Sequence, residues 1–272
     1  MSFFDELKAS RLMIMGVVNV TPDSFSDGGA YNNHAAQHGL KLLEQGADIL
    51  DIGGESTRPH ADVVSVQDEI ARVVPVIEGL AGKAKYISID TRNSETMSAA
   101  VQAGANIIND VSGLRHDPES VGVVAQSGLP ICIMHMQGTP QTMQNAPEYK
   151  NVIDDICAFF EERLAFCAVN GVAQNRVILD PGIGFGKTLE HNLEIVARFD
   201  EFKKFGCPLL FGASRKSFIA KISDAPEVQD RLAGSLAAAL TGVQNGADIV
   251  RVHDVFETRQ AIDVSQALRS VG

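Results

Sequence analysis

One short pattern recurs three times along the chain and constrains its fold more than any other feature. It starts with Gly-Ala-(Asp/Asn)-Ile and continues as an apolar run, at 46–52, 104–110 and 246–252. A glycine suits the end of a helix, and an apolar run directly after it is typical of a buried strand. The repeat therefore predicts helix–strand units whose strands form a parallel sheet with covered faces.

The same alternation extends along the whole chain. Apolar runs of strand length lie at 12–18, 48–52, 85–90, 106–111, 129–135, 176–180, 208–213 and 248–252. Helical patterns lie at 34–45, 65–81, 93–103, 118–127, 148–169, 189–203, 228–245 and 256–270. Eight such units in 272 residues predict a closed (β/α)8 TIM barrel, with an open doubly wound sheet as the alternative. Because no linker-like stretch divides the chain, we expect residues 1–272 to form a single domain.

Local signals support several of the predicted helix boundaries. Ser65-Val-Gln-Asp68 fits a capping box, and Asp117 before a proline suits a helix start. Glycines suited to helix ends stand at Gly46, Gly104, Gly128, Gly171 and Gly246.

Charge and composition narrow the classes of function. A net charge of −11 argues against general binding to nucleic acid or anionic membranes, so an anionic substrate would need a local basic cluster. The four cysteines form no CxxC pair and are expected to be reduced core residues. The N-terminus lacks a signal-peptide pattern, and no run is apolar enough to span a membrane. We therefore expect a cytoplasmic protein.

Polar, charged or sulfur-bearing side chains follow every predicted strand, although the strand bodies are almost purely apolar. These ends are Asn19, 51–58, 90–92, Asn109-Asp110, Met134-His135, 180–187, 212–216 and 251–254. In a (β/α)8 barrel the carboxyl ends of the strands share one face, where the active site lies. A barrel built for stability alone does not need polar groups at all eight ends, so this face is predicted to be an active site.

Four of these residues suit a flat heterocycle. Asp90, Asn109 and Asp180 with Lys216 offer the mixture of acceptors and donors that an aminopyrimidinone-type ring edge requires. Two carboxylates beside a lysine also stay ionised more readily than two alone. The alternatives to ligand binding are that Asp90 caps the helix that follows it and that Lys216 is a solvated lysine at a helix start.

A second group suits an anion, and its members are Asn19, Thr57, Arg58, Arg251 and His253. Guanidinium groups bind phosphate oxygens in pairs, and a protonated histidine donates to an anion. Asn19 supplies a hard oxygen suited to a Mg²⁺ that also binds phosphate and water. The alternatives to anion binding are that Asn19 only forms a turn and that His253 is a structural residue at the strand end.

Two loops complete the predicted site. Residues 16–29 bring the first strand to Asn19 and continue as a loop rich in Thr, Ser and Asp with paired glycines, which is typical of an active-site loop. Gly182-Ile-Gly-Phe-Gly-Lys187 departs from the Walker A spacing. We interpret it as a tight turn that presents Phe185, with a plain connection as the alternative. No HExxH, CxxC or nucleophile-elbow pattern occurs, so a covalent mechanism is not indicated.

Seven motifs in this order resemble the dihydropteroate synthase family over nearly the whole chain, from Leu12 to the last helix. They are the segments 19–29 (NVTPDSFSDGG), 51–59 (DIGGESTRP), 88–91 (SIDT), 108–113 (INDVSG), 180–187 (DPGIGFGK), 214–217 (SRKS) and 251–255 (RVHDV). The resemblance implies a barrel enzyme, a transferase that requires Mg²⁺. It would join 6-hydroxymethyl-7,8-dihydropterin pyrophosphate to 4-aminobenzoate, giving 7,8-dihydropteroate and pyrophosphate. The family usually forms homodimers.

The resemblance also implies a role for each matched residue. The pterin ring would be held by Asp90, Asn109, Met134, Asp180, Phe185 and Lys216. The pyrophosphate would be held by Asn19, Thr57, Arg58, Arg251 and His253, with Asn19 in the Mg²⁺ site. The 4-aminobenzoate would be held by Pro59, Phe185, Ser214 and Lys216. The residues expected to act in catalysis are Asp90, Lys216, Arg251 and His253, and the loops 19–29 and 55–64 would close over the site.

Two rival functions remain at this point. A pterin-dependent methyltransferase shares the pterin-binding aspartates and asparagine but does not need the pyrophosphate group or the 19–29 loop. A non-catalytic pterin-binding relative would be expected to lose the Asn19 loop or the pair Arg251 and His253, all of which are intact. Release of pyrophosphate that depends on both 4-aminobenzoate and Mg²⁺ separates these possibilities.

Overall fold

The computed structural model describes residues 2–10, 12–20, 28–55, 64–139, 141–143 and 146–270, with residues 28–33 described as backbone. The strands are β1 (Met13–Asn19), β2 (Ile49–Gly53), β3 (Tyr86–Asp90), β4 (Ile107–Asp110), β5 (Ile131–Met134), β6 (Val177–Asp180), β7 (Leu210–Phe211) and β8 (Ile249–Val252). The helices are α1 (Phe3–Ser10), α2 (Gly28–Glu44), α3 (Val66–Leu80), α4 (Ser94–Ala103), α5 (Ser120–Ser127), α6 (Val152–Val169), α7 (Leu189–Ala197), α8 (Ser217–Ser223), α9 (Leu232–Gln244) and α10 (Val255–Arg269).

The strands form one parallel sheet that closes on itself. Their order is β6-β5-β4-β3-β2-β1-β8-β7, and every pair is parallel. A parallel bridge between Leu179 and Leu209 joins the two edge strands. The prediction of a (β/α)8 TIM barrel is confirmed, and the open doubly wound sheet is excluded.

Apolar side chains fill the amino-terminal end of the barrel. This floor cluster comprises Phe3, Leu7, Met13, Met15, Ile49, Tyr86, Ile107, Cys132, Ile178, Leu210 and Ile249. Helix α1 covers it through Phe3, whose ring lies 5.0 Å from the ring of Tyr86 in an edge-to-face arrangement. The Tyr86 hydroxyl donates to Glu6 at 2.7 Å. The second, larger core lies between the sheet and the surrounding helices.

The helix ends confirm most of the local signals. All five predicted end glycines have positive φ, from 70° at Gly128 to 119° at Gly104. Ser65 caps α3 by accepting from the backbone N–H of Asp68 at 3.1 Å. Asp117 does not cap the helix that follows it, since α5 begins later, at Ser120. Its carboxylate accepts from the N–H of Glu119 at 2.9 Å, in the turn before α5, and from the N–H of Ser94 at 2.8 Å, in the first turn of α4.

The structure adds elements that the sequence pattern does not predict. Helix α1 precedes the first strand, and the short α8 follows β7. The predicted helix 189–203 divides into α7 and a 3-10 turn at Phe199–Phe205, and β7 has two residues where a run of six was predicted. These segments are too short for a periodic pattern, so tertiary contacts determine them. Within the described residues, no helix combines the length and apolar character needed to cross a membrane.

Candidate active site

A small cavity opens at the carboxyl ends of the strands. Its lining residues are Asp90, Asn109, Val111, Met134, Asp180, Phe185, Gly212, Lys216 and Arg251. All six residues of the predicted ring pocket are among them. Arg251, which the sequence groups with the anion-binding residues, lines the same cavity, so the two predicted groups of residues meet there.

A network of buried polar groups forms one wall of the cavity. The Arg251 guanidinium donates from Nε to Asp51 at 2.6 Å and from Nη2 to Asp90 at 2.7 Å. Asn109 Nδ2 donates to the same Asp51 carboxylate at 3.2 Å. Asp90 and Asn109 are register partners on β3 and β4, which places them side by side at the mouth. The network ties β2, β3, β4 and β8 together.

Burial governs the protonation of this wall. It raises the pKa of Asp90 to about 7, and the nearby carboxylate of Asp51 adds to the shift while Arg251 opposes it. Burial alone would lower the pKa of Arg251, but the carboxylates of Asp51 and Asp90 outweigh it and raise that pKa. The guanidinium is therefore charged, and Asp90 titrates near neutral pH.

Asp180 and Lys216 form the opposite wall. Asp180 accepts from the N–H of Gly182 at 2.7 Å, and burial raises its pKa although Lys216 opposes the shift. The Lys216 ammonium donates to the carbonyl of Ile183 and lies 4.3 Å from the centre of the Phe185 ring. Burial lowers the pKa of Lys216 to about 7, opposed by the charge of Asp180. The pocket thus holds a second group that titrates near neutral pH.

The loop after β6 lies flat against the backbone after β5. Gly182, Gly184 and Gly186 have φ of 70°, 82° and 62°, a conformation that side chains other than glycine rarely adopt. A Cβ at Gly182 would lie 2.0 Å from the carbonyl oxygen of His135, so this position admits only glycine. The loop presents Phe185 to the cavity, as predicted for this turn.

A buried lysine fastens this loop from behind. Lys187 is 3% exposed and donates to the carbonyl of Phe185 at 3.0 Å and to that of His135 at 3.3 Å. Its amino group also lies 3.0 Å from the His135 Nδ1 atom. Burial lowers the pKa of Lys187 well below its usual value, although Asp180 raises it. The lysine therefore joins the β5 end to the Phe185 wall instead of contacting the cavity.

The residues predicted to bind the anion lie partly within the described structure. Asn19 is exposed at the last position of β1. His253 follows β8, and its Nδ1 lies 3.0 Å from the hydroxyl of Ser214. This contact joins a residue of the predicted pyrophosphate site to one of the predicted 4-aminobenzoate site. Thr57, Arg58, Pro59 and residues 21–27 lie outside the described residues.

The described residues fit a Mg²⁺ ion that would take most of its ligands from water and substrate phosphates instead of from protein side chains. Among the described residues, no group of three or more His, Cys, Asp and Glu side chains could hold a metal ion. Mg²⁺ often uses few protein ligands and completes its shell with water and substrate phosphates. The exposed amide oxygen of Asn19 at the mouth suits this kind of site.

Two residues of the site were not given a role by sequence reasoning. The sequence places Asp51 in the polar segment at the end of the second predicted strand, but its pairing with Arg251 and Asn109 depends on the closure of the barrel. Lys187 stands in the sequence only as the end of the glycine-rich turn. Arg92, also at a strand end, does not line the cavity, since it forms a buried ion pair with Glu55 at 3.0 Å. That pair anchors the chain where the 56–63 segment begins.

Comparisons with known proteins agree with this geometry. The family profile described as "Pterin binding enzyme" matches residues 15–253. Dihydropteroate synthase of Escherichia coli (strain K12) is 46% identical over 267 residues, covering 97% of this chain and 94% of that protein. Dihydropteroate synthase of Synechocystis sp. is 46% identical over 261 residues, covering 95% and 90%.

Solved structures give the same result. The structure of Xanthomonas albilineans dihydropteroate synthase with 4-aminobenzoic acid superposes with a TM-score of 0.91 at 44% identity, covering 96% of this chain and 94% of that one. A Yersinia pestis dihydropteroate synthase in complex with a sulfonamide drug has a TM-score of 0.90 at 45% identity, covering 96% and 95%. Fold, sequence and matched length agree throughout, and the chain therefore belongs to the dihydropteroate synthase family.

Proposed function

We propose that the cavity at the carboxyl end of the barrel binds 6-hydroxymethyl-7,8-dihydropterin pyrophosphate and 4-aminobenzoate and joins them. As a dihydropteroate synthase, the chain is a transferase of folate biosynthesis that forms 7,8-dihydropteroate and pyrophosphate. The observation that carries the residue roles is the wall structure of the cavity. Three carboxylate or amide side chains, a lysine, a phenylalanine and a methionine line one cavity, and they are Asp90, Asn109, Asp180, Lys216, Phe185 and Met134. We place this site in one pterin-binding domain that spans residues 1–272.

The pterin ring would lie between the two walls. Asp90, Asn109 and Asp180 would accept from its N–H groups, and Lys216 would donate to its carbonyl oxygen or a ring nitrogen. Phe185 and Met134 would cover the faces of the ring. The relative from X. albilineans has been solved in complex with 7,8-dihydropteroate, which supports a pterin in this family's barrel.

The reaction would begin with loss of the leaving group. The bond between the pterin methylene carbon and the bridging oxygen breaks, and both electrons leave with the pyrophosphate. The ionised carboxylate of Asp90 would stabilise the resulting cationic pterin methylene electrostatically. Its pKa of about 7 means that this carboxylate is available at neutral and higher pH.

The amine of 4-aminobenzoate then attacks the methylene carbon. A C–N bond forms and the nitrogen loses a proton, which completes 7,8-dihydropteroate. An arylamine is neutral near pH 7, so the step needs no strong base. Pro59, Phe185, Ser214 and Lys216 would hold the 4-aminobenzoate above the ring, positioned for attack by the loops 19–29 and 55–64.

The leaving group would be held at the mouth. Thr57, Arg58, Arg251 and His253 would contact the pyrophosphate oxygens, with Asn19 holding the Mg²⁺. When bound, Mg²⁺ supplies positive charge to the leaving pyrophosphate. Arg251 uses Nε and Nη2 for Asp51 and Asp90, so we assign the contact with the pyrophosphate to its Nη1 atom. Arg251, His253, Asp90 and Lys216 are the residues to which we assign catalytic roles.

One assay tests this function. Purified protein is incubated with the pterin pyrophosphate, and pyrophosphate release is measured with 4-aminobenzoate, with Mg²⁺, with both and with neither. We expect release only when both are present and complete loss on chelation, restored by added Mg²⁺. Pterin binding without release would support a non-catalytic pterin-binding protein instead. Asn19→Ala is expected to raise the Mg²⁺ concentration needed for half-maximal rate, while the exposed Asn170→Ala serves as its control.

We also propose that the chain forms a homodimer. Exposed apolar side chains lie on adjacent elements, namely Leu193 on α7, Ile222 on α8 and Val228 just before α9. Burying them against a second copy would remove apolar surface from water. Light scattering is expected to give twice the chain mass for the wild type, and Ile222→Lys is expected to shift the mass toward that of one chain.

A further inference from the structure

We propose that Asp51 is a specificity-determining positioning residue, because its buried carboxylate fixes which end of the Asn109 amide faces the ligand. The inference rests on the proposed function, since it takes the cavity to hold the pterin ring. Asp51 does not line the cavity, and it acts through two residues that do.

The role of Asp51 as a hydrogen-bond acceptor follows from its surroundings. The side chain is 0% exposed on β2, and its partner at 2.6 Å is the Arg251 guanidinium. In this ion pair the Asp51 carboxylate accepts from the guanidinium Nε, so it acts as an acceptor toward its other neighbours as well. Any group that contacts Asp51 must therefore be a donor.

This requirement decides the orientation of Asn109. The amide end nearest Asp51 lies 3.2 Å from one carboxylate oxygen and 3.4 Å from the other, so it must be the NH₂ group. Rotation of the amide by 180° would set its oxygen against two carboxylate oxygens in a buried site, which is strongly unfavourable. The amide oxygen of Asn109 is thus kept toward the cavity.

The consequence is a fixed acceptor on the ligand side of β4. An asparagine without such a partner can rotate to suit either a donor or an acceptor on its ligand, and so discriminates poorly. With Asp51 in place, Asn109 favours a ring that offers an N–H group and disfavours one that offers an oxygen at the same position. We take the 2-amino group of the pterin to be the group that meets the Asn109 oxygen, and in that pose Asp51 contributes to selection of a 2-amino over a 2-oxo ring.

The test compares two small ligands that differ at that position. Dissociation constants are measured by calorimetry for 6-hydroxymethylpterin, which carries a 2-amino group, and 6-hydroxymethyllumazine, which carries a 2-oxo group. Both lack pyrophosphate, so neither ligand reports on contacts to the leaving group. Asp51→Asn is nearly isosteric and can donate to the Asn109 oxygen, which permits the rotated amide. We expect its preference for the 2-amino ligand to fall about tenfold relative to wild type.

Two further variants separate positioning from a loss of structure. In an Asn109→Ala background, Asp51→Asn should leave the ligand preference unchanged, because the amide through which it acts is gone. Asp110→Asn removes another fully buried carboxylate, one that accepts from the backbone of Ser112 and Leu114. It should lower the melting temperature without altering the preference.

The possible outcomes discriminate clearly. A wild-type preference in folded Asp51→Asn, or an equal change in the Asn109→Ala background, would overturn the inference. If Asp51→Asn does not fold, the wild-type protein labelled with ¹⁵N-asparagine tests it, since the Asn109 side-chain protons should exchange slowly with water and rapid exchange would contradict the orientation. Failure of wild type to bind 6-hydroxymethylpterin or release pyrophosphate would instead reject the proposed function.

Discussion

The two ends of the barrel interior are built from the same strands, yet they differ completely in chemistry. On four strands an isoleucine of the apolar floor is followed two residues later by a polar residue of the site. These pairs are Ile49 and Asp51, Ile107 and Asn109, Ile178 and Asp180, and Ile249 and Arg251. Because side chains alternate along a strand, a step of two residues stays inside the barrel and moves one layer toward the mouth.

The comparison shows that the residues that stabilise the barrel and the residues that form the site are separated by a single layer of side chains. Apart from Tyr86, whose hydroxyl donates to Glu6, the floor residues need no hydrogen-bond partner for their side chains. They stabilise the fold through burial. At the mouth, burial shifts the pKa values of Asp90 and Lys216 toward neutrality, an arrangement that costs stability and creates reactivity. We therefore expect substitutions at the mouth to reduce activity more than stability, and substitutions in the floor to reduce stability more than activity.

The largest effect is expected at the mouth. Asp90→Asn keeps the shape of the side chain but removes the charge that we propose to stabilise the cationic pterin methylene. We expect kcat to fall by about 10²–10³-fold. The melting temperature should change little or rise at pH 8, since ionised Asp90 is unfavourably buried. Steady-state kinetics and calorimetry measure both, and full turnover in this variant would exclude the charge-stabilising role.

A floor substitution should show the reverse. Ile49→Ala is expected to lower the free energy of unfolding by about 3 kcal/mol, because it removes a fully buried side chain and leaves a cavity. At temperatures where the variant is folded, kcat should remain within about twofold of wild type. The matched control is Ile49→Val, with a cost of about 1 kcal/mol. A large loss of kcat in a fully folded Ile49→Ala protein would contradict the separation of the two ends.

A position between the two levels should affect both properties. Gly182→Ala would place its Cβ 2.0 Å from the carbonyl oxygen of His135, so the loop that carries Phe185 must shift. Gly171→Ala is the matched control, since its φ of +81° is also positive but nothing lies within 4 Å of the added Cβ. We expect Gly182→Ala to cost at least about 2 kcal/mol more in unfolding free energy than the control. Of these two variants, only Gly182→Ala should raise KM for the pterin substrate.

The last comparison is between the two groups of the mouth that titrate near pH 7. Asp90, with a pKa raised to about 7, must lose its proton to stabilise the cation, so kcat/KM should rise with pH through this range. Lys216, with a pKa lowered to about 7, must keep its proton to donate to the ring, so kcat/KM should fall above it. The profile should therefore be a narrow bell near pH 7. Lys216→Arg should extend the alkaline side, and a flat profile from pH 5 to 9 would contradict these assignments.

The same two pKa shifts also make the free energy of unfolding depend on pH. Asp90 binds its proton more tightly when folded, so its contribution to stability decreases as pH rises from the unfolded pKa of about 4 to the folded value of about 7. Lys216 binds its proton less tightly when folded, so stability recovers as pH rises from about 7 toward the unfolded pKa. Denaturant unfolding of wild type and Asp90→Asn across pH 5–9 measures the first contribution as a difference.

Much of the fold and the location of the site follow from the sequence for one physical reason. Strand bodies such as Ile107-Ile are buried on both faces, so they read as apolar runs, and the residues after them must lie at the mouth. Partners across the barrel could not be predicted in this way. Arg251 was grouped with the anion-binding residues, and the structure shows it also held by Asp51 and Asp90, which are 200 and 161 positions away. Such pairings depend on how the sheet closes, which no local pattern contains.

Helix α1, which lies under the barrel, has a consequence for the order of events during turnover. With the floor sealed by Phe3 and Leu7, a molecule reaches the deep ring pocket only through the mouth. In the site we propose, the 4-aminobenzoate lies in that same opening, next to Phe185. We therefore expect the pterin substrate to bind first and to be enclosed when the 4-aminobenzoate binds. Product-inhibition kinetics should then show an ordered sequence of substrate binding.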